Sequence, residues 1–262
     1  MAFRRSAVLT SATALVLVAV VGGSMEIDHL IENGRMGLRP VCRVAVTRSI
    51  VGLSFDDGPS RLTPAFLRVL GRYGAKATFF VVGERAEADP AAVEAVAAAG
   101  MGIGNHTWDH PVMSELSPKE QLHEMARTSG AIEGIDGDPP SLFRAPFGDL
   151  SSVGLDAAAS LDLRAVGWTV AVEHDLDGLG MTPAETADSL GDSIQPGDII
   201  LAHDGGADRT TTLETLPLLL DRLSARGIAA VSVETLLASG RSIAAVPRPW
   251  FWQRGFTCPV DR

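Results

Sequence analysis

The chain has 262 residues, 46% of them hydrophobic and 21% charged, which suffices to bury a core as one large domain or two small ones and excludes a disordered or collagen-like chain. Lys and Arg number 22 against 32 Asp and Glu, a net charge of −10, and such a surface repels a polyphosphate backbone, so nucleic acid is excluded as a partner. Cys42 and Cys258 are the two cysteines, too few for a disulfide scaffold and wrongly spaced for a structural zinc knuckle.

At the start of the chain, Arg4 and Arg5 precede an uncharged apolar stretch from Ser6 to Met25. Residues 1–24 read as an export signal. The run is almost long enough to span a bilayer and no Ala-x-Ala cleavage site follows it, so an uncleaved membrane anchor through residues 6–24 stays open. Either reading places the remainder outside the cytoplasm, secreted or held at the outer face of the cytoplasmic membrane. Residues 25–41 read as a linker.

From there, short apolar runs alternate with longer amphipathic stretches, the pattern of β/α units around a parallel sheet. Strands are predicted near Ile50 to Phe55, Ala75 to Val82, Met101 to Asn105, Ser141 to Arg144, Leu163 to Trp168, Asp198 to Ala202 and Ile228 to Val231. A helix is predicted over Pro90 to Ala99, with Asp89 before its first-turn Pro and Gly100 at its end. Gly134, Gly137, Pro139 and Pro140 predict a loop. Residues 42–240 form one α/β domain in this reading, and residues 241–262, with Trp250, Phe251 and Trp252, form a tail packed on it.

Chemistry-bearing residues fall at the ends of these strands. His106 and His110 lie four apart just after one strand, so a turn could aim both imidazoles at one point. Asp56 and Asp57 end another, followed by Gly58 and Pro59. Two His and one carboxylate form the three-ligand set of a catalytic zinc with a position open for water. Arg144 and His203 follow two further apolar runs. Each has a bland reading alone: Asp57 as a helix cap, His110 as a surface residue, Arg144 as an ion-pair partner, His203 as a core imidazole. A β/α barrel, however, gathers its strand C-termini on one face, where all six would converge.

At these residues the sequence resembles the polysaccharide deacetylases, the NodB-homology or carbohydrate esterase family four enzymes. The likeness runs from about Val51 to Leu237 and includes Ser54-Phe55-Asp56-Asp57-Gly58-Pro59-Ser60, Ala77-Thr78-Phe79-Phe80-Val81-Val82-Gly83, Gly104-Asn105-His106-Thr107-Trp108-Asp109-His110-Pro111, Arg144-Ala145-Pro146-Phe147-Gly148 and Leu201-Ala202-His203. The resemblance implies a distorted (β/α)7 barrel, a divalent metal that is usually zinc, and removal of acetyl groups from N-acetylglucosamine polymers of the peptidoglycan or chitin type by a monomer. An O-acetyl (xylan-type) esterase and a carbohydrate-binding member without turnover are the alternatives. It further implies that Asp57, His106 and His110 hold the metal, that Asp56 is the base, and that Arg144 holds Asp56. The backbone N–H of Phe147 would stabilise the oxyanion, and His203 would protonate the leaving amine.

Two departures stand out. Phe147 replaces the family's usual Tyr, and Trp168-Thr169-Val170-Ala171 lacks, at Ala171, the carboxylate that should orient the acid histidine. Glu173, Asp175 or Asp177 could supply it if the loop bends differently. His29, His123 and His174 lack ligand-like spacing and read as surface residues. Cys42 and Cys258 flank the domain, leaving one bridge or two free thiols open.

Overall fold

The nine residues of strand β2, Ile50–Gly58, are all buried, as a strand covered on both faces of a parallel sheet must be. The computed structural model describes residues 39–244, 246–247 and 256–257. Strand β1 (Val41–Val46) precedes β2, and β3 (Thr78–Val81), β4 (Gly102–Asn105), β5 (Leu142–Phe143), β6 (Arg164–Ala165), β7 (Val170–Ala171), β8 (Ile199–His203) and β9 (Ala229–Val231) follow. An eight-stranded sheet orders them β6-β5-β4-β3-β2-β8-β7, with β9 on β2. Every pairing in it is parallel, so the strand C-termini share one end.

Each of the seven predicted strands is present, shortened at β3, β5 and β6, and β1 and β7 are additions. The expected (β/α)7 barrel is met as an α/β fold whose curled parallel sheet is a half-barrel. Its edge strands β6 and β7 are two residues each and do not pair with one another. In the gap between them β1 runs instead: Gly167 N–H donates to Val41 O at 2.8 Å, and Val44 N–H to Gly197 O at 2.8 Å. β1 is itself held by antiparallel pairing with β10 (Gly240–Ala244). Of the predicted tail, β10 and the short pair β11 (Val246–Pro247) and β12 (Phe256–Thr257) are described. Trp250, Phe251, Trp252 and Cys258 lie outside the described residues, as do residues 1–24 and most of the linker. Cys42 is buried and is not a free thiol.

The helices are α1 (Thr63–Tyr73), α2 (Gly83–Ala88), α3 (Pro90–Ala98), α4 (Pro118–Asp136), α5 (Ser152–Ser160), α6 (Pro183–Ser193), α7 (Thr210–Ala225) and α8 (Val233–Ala238). The α3 signals work as read, since Asp89 accepts from Ala92 N–H at 3.2 Å and Gly100 turns left-handed at φ 66°. Gly134 does not begin a loop. It lies inside α4, which runs on to Gly137, where φ is 89°. The main core joins Leu53 and Phe55 of β2 to Phe66 and Leu70 of α1 and to Leu216 and Leu219 of α7. The Phe55 ring lies 5.0 Å from those of both Phe66 and Phe79, anchoring the strand that ends in Asp56 and Asp57.

Candidate active site

Four strand ends build the site: Asp56 and Asp57 from β2, His106 and His110 after β4, Arg144 after β5, and His203 closing β8. Holding these side chains inward requires unusual backbone. Asp57, Thr107, His110 and Phe147 all have positive φ (68°, 66°, 63° and 58°), a conformation costing a non-glycine residue on the order of 1 kcal/mol or more. The strain persists because packing enforces it. At Gly205, a Cβ would stand 1.9 Å from the Asp57 carbonyl oxygen, so only glycine lets the loop after β8 press on the Asp57 backbone.

His106 Nδ1 lies 2.7 Å from the carbonyl oxygen of Arg144. A carbonyl can only accept, so Nδ1 is the donor of this bond and the ring is held with Nε2 turned toward Asp57. Nε2 of His106 is 3.4 Å, and Nε2 of His110 3.0 Å, from Oδ1 of Asp57. That Oδ1 is buried and has no hydrogen-bond partner. One ligand atom from each of the three residues lies within 4.8 Å of the others. An orphaned carboxylate oxygen between two imidazole nitrogens fits a divalent cation that would satisfy all three. Burial pushes the Asp57 carboxyl up, but the two imidazoles outweigh it and hold the group well below the usual carboxylate range.

Beside this group, the buried Asp56 accepts at Oδ1 from Arg144 Nη1 at 2.7 Å, and its Oδ2 lies 3.7 Å from His106 Nε2. Arg144 is fully buried. It also donates to Ser54 Oγ at 2.8 Å and to Gly167 O at 3.0 Å, and its guanidinium lies 4.3 Å from the Phe80 ring centre. Burial pulls the guanidinium below its ordinary value and Asp56 opposes this; an arginine stays charged in either case.

His203 has a carboxylate after all. Glu173 Oε2 is 3.0 Å from His203 Nδ1, while Glu173 Oε1 accepts from His203 N–H and from Thr212 Oγ1, both at 2.9 Å. Ala171 pairs with Leu201, and β7 stops there; the chain then turns helical, with Glu173 at φ −70° and ψ −17°, and that turn, in place of further strand, brings the Glu173 carboxylate to the backbone N–H of His203 at the end of β8. The site that a shorter side chain at 171 leaves empty is thus reached from 173, before the π-helical turn His174–Gly178. Burial lowers the His203 pKa, but the hydrogen bond and charge of Glu173 reverse this and raise it above the usual value.

Phe147 is 69% exposed, and its ring stands edge-on to His110 with centroids 4.7 Å apart. Sequence reasoning did not single out Asp204, Arg209 or Arg85. Asp204 is fully buried; burial, with Asp56 and Asp57 nearby, pushes its carboxyl up to about 7. It accepts from the Thr63 hydroxyl and closes on Gly58, where a Cβ would meet its Oδ1 at 2.5 Å. Arg85 donates to the Asp57 carbonyl. A signal existed for Asp204 in the polar and glycine run Asp204-Gly205-Gly206 directly after a strand end. His123 is exposed, as expected; His29 and the His174 side chain lie outside the described residues.

Comparison with known proteins places the chain in a family. A family model described as polysaccharide deacetylase matches residues 43–166. A peptidoglycan-N-acetylglucosamine deacetylase of Bacillus cereus is 32% identical over 189 residues, covering 72% of this chain and 88% of its own. The chain belongs to the polysaccharide deacetylase family. Among solved structures, a family 4 carbohydrate esterase from Streptomyces lividans in complex with acetate is similar at 32% identity and a TM-score of 0.66, over 76% of this chain and 99% of that one. The peptidoglycan-N-acetylmuramic acid deacetylase PdaC of Bacillus subtilis is 38% identical over 105 residues, which span 40% of this chain and only 22% of PdaC.

Proposed function

We propose that this chain is a metal-dependent hydrolase that removes acetyl groups from N-acetylglucosamine-containing polysaccharide of the peptidoglycan or chitin type. One observation carries the reading: a three-ligand group of Asp57, His106 and His110 shares one end of the sheet with a carboxylate tied to a buried arginine and an imidazole tied to a second carboxylate. Asp57, His106 and His110 would hold the ion, with zinc favoured by two imidazoles and one carboxylate. When bound, it supplies Lewis-acid polarisation of the acetyl carbonyl and acidity to a coordinated water.

The protein's own groups do the rest. Arg144 occupies Oδ1 of Asp56 at 2.7 Å, leaving Oδ2 to take the proton of the attacking water. As the carbonyl carbon becomes tetrahedral, the Phe147 backbone N–H donates to the developing oxyanion. His203, whose protonated form Glu173 favours, then passes a proton to the departing nitrogen as the C–N bond breaks. Acetate and a free amine result. An amide anion is a far poorer leaving group than an alkoxide, so a carboxylate-backed acid favours N-acetyl over O-acetyl substrates.

The uncharged stretch 6–24 behind Arg4 and Arg5 supports export, with residues 42–240 as the working domain acting as a monomer, secreted or anchored outside the cytoplasmic membrane. No helix among the described residues is long and apolar enough to cross a membrane. Acetate release by the zinc-loaded protein from peptidoglycan, chitin oligosaccharide and acetylated xylan tests the reading. Release from the first or second is expected, and release from xylan alone would replace it with an esterase.

A further inference from the structure

We propose that Arg209 is a positioning residue of the metal site, holding the outward oxygen of Asp57 so that this ligand turns its other oxygen to the cation; the inference rests on the metal-dependent reading above. Asp57 has two unlike oxygens. Oδ1 faces both imidazoles. Oδ2 points to the loop after β8, where Arg209 Nη2 lies 4.0 Å away. The same oxygen is packed by Gly206, at which a Cβ would stand 2.4 Å from it.

Arg209 is itself aimed. Its Nε donates to Gly205 O at 2.8 Å, and its Nη1 lies 3.9 Å from Asp177 Oδ2. The two ion pairs are not equal. Asp177 is 73% exposed, so water screens that pair, whereas the Arg209 and Asp57 side chains are 15% and 11% exposed. At 4.0 Å the attraction is ionic and not a hydrogen bond, so charge matters more than the guanidinium fork.

Asp57 also needs restraint from outside. Its φ of 68° is one that the residue does not favour, and its carboxylate could rotate either oxygen toward the imidazoles. Arg85 holds the carbonyl and the glycines fill the space. Among the described residues Arg209 is the one cation within 4.0 Å of Oδ2. Partners that orient a ligand in this way commonly matter ten- to a hundredfold in metal affinity or activity.

The test compares zinc affinity, by chelator competition, and thermal unfolding of the metal-free protein for the full chain and its Arg209→Gln, Arg209→Lys and His106→Ala variants. Arg209→Gln should weaken zinc binding about ten- to a hundredfold, and Arg209→Lys should recover most of that loss. Zinc affinity within twofold of wild type in Arg209→Gln, with His106→Ala losing the ion, would overturn the proposal, and a raised KM there would make Arg209 a substrate contact. Lost affinity with a collapsed metal-free Tm in both Arg209 variants would also overturn it, marking Arg209 as a fold residue. Zinc retained in His106→Ala would instead overturn the metal-site reading.

Discussion

Replacing Glu173 by Gln should cripple the acid step and move it on the pH axis. The charge of Glu173 lies 3.0 Å from His203 Nδ1, and at an effective dielectric of about 20 their attraction is roughly 5 kcal/mol. The two side chains are 22% and 11% exposed, and the amide keeps part of the hydrogen bonding, so the surviving effect is about 1 to 2 pKa units, ~1.4 to 3 kcal/mol. The sign follows from the balance at His203. Burial lowers its pKa and Glu173, with smaller contributions from Asp56 and Asp57, raises it, so without the Glu173 charge the pKa falls. A second loss is geometric: one amide oxygen cannot accept both from the backbone N–H of His203 and from its Nδ1. A general acid works only while protonated, so the alkaline limb of kcat/KM should move to lower pH by about 1 to 2 units. At pH 8, acetate release from N-acetylated chito-oligosaccharide should fall about 10- to 100-fold. An alkaline limb that stays put, or moves to higher pH, would refute the assignment of Glu173 and His203 as a working pair. Restoring the family's carboxylate by Ala171→Asp should bring no gain, because Nδ1 already has its partner.

Other consequences can be checked separately. Asp204 has a folded pKa of about 7 against about 3.9 unfolded, so the native state keeps a proton that the unfolded chain releases, and unfolding free energy falls as pH rises through that window. In urea melts of the metal-free protein, wild type should lose about 3 kcal/mol more between pH 5 and pH 8 than Asp204→Asn; equal losses would mean that Asp204 is not a buried neutral acid. Gly205→Ala drives a Cβ into the Asp57 carbonyl, and should cost about 1 to 3 kcal/mol of stability and most zinc binding, measured by melting and metal content; unaltered occupancy would show that the loop yields. Phe147→Ala removes an exposed ring lying on His110 while leaving the backbone N–H, so KM for oligosaccharide should rise several-fold and kcat should change less; a collapse of kcat alone would contradict a purely backbone role in the chemistry.

Much of this arrangement is legible in the residue order, because parallel strands announce themselves as apolar runs and their C-terminal ends carry the polar residues. Asp56, Asp57, His106, His110, Arg144 and His203 are visible on that ground alone, and the structure brings them together. What escapes is whatever depends on pairing between distant segments. The closing of the sheet gap by β1 rests on its contact with β10, roughly two hundred residues away, and no local pattern encodes it. β7 is two residues long and hides behind Trp168 and Thr169. Glu173 is ambiguous among three acids until the helical turn that follows β7 brings its carboxylate onto His203. Asp204 and Arg209 look like ordinary loop polar residues; only the burial of Asp204 against Gly58 and the approach of Arg209 to Asp57 reveal what they touch.

The claim at the centre is that Asp56 takes a proton while Asp57 and the two histidines hold an ion. Asp56→Asn separates these, since Oδ1 can still accept from Arg144 and none of the three ligands is altered. Metal content and acetate release should be measured on the same preparation of that variant. About one divalent ion per chain, with turnover reduced ~10² to 10⁴-fold, is the expected result. Near-normal acetate release with the ion in place would contradict it.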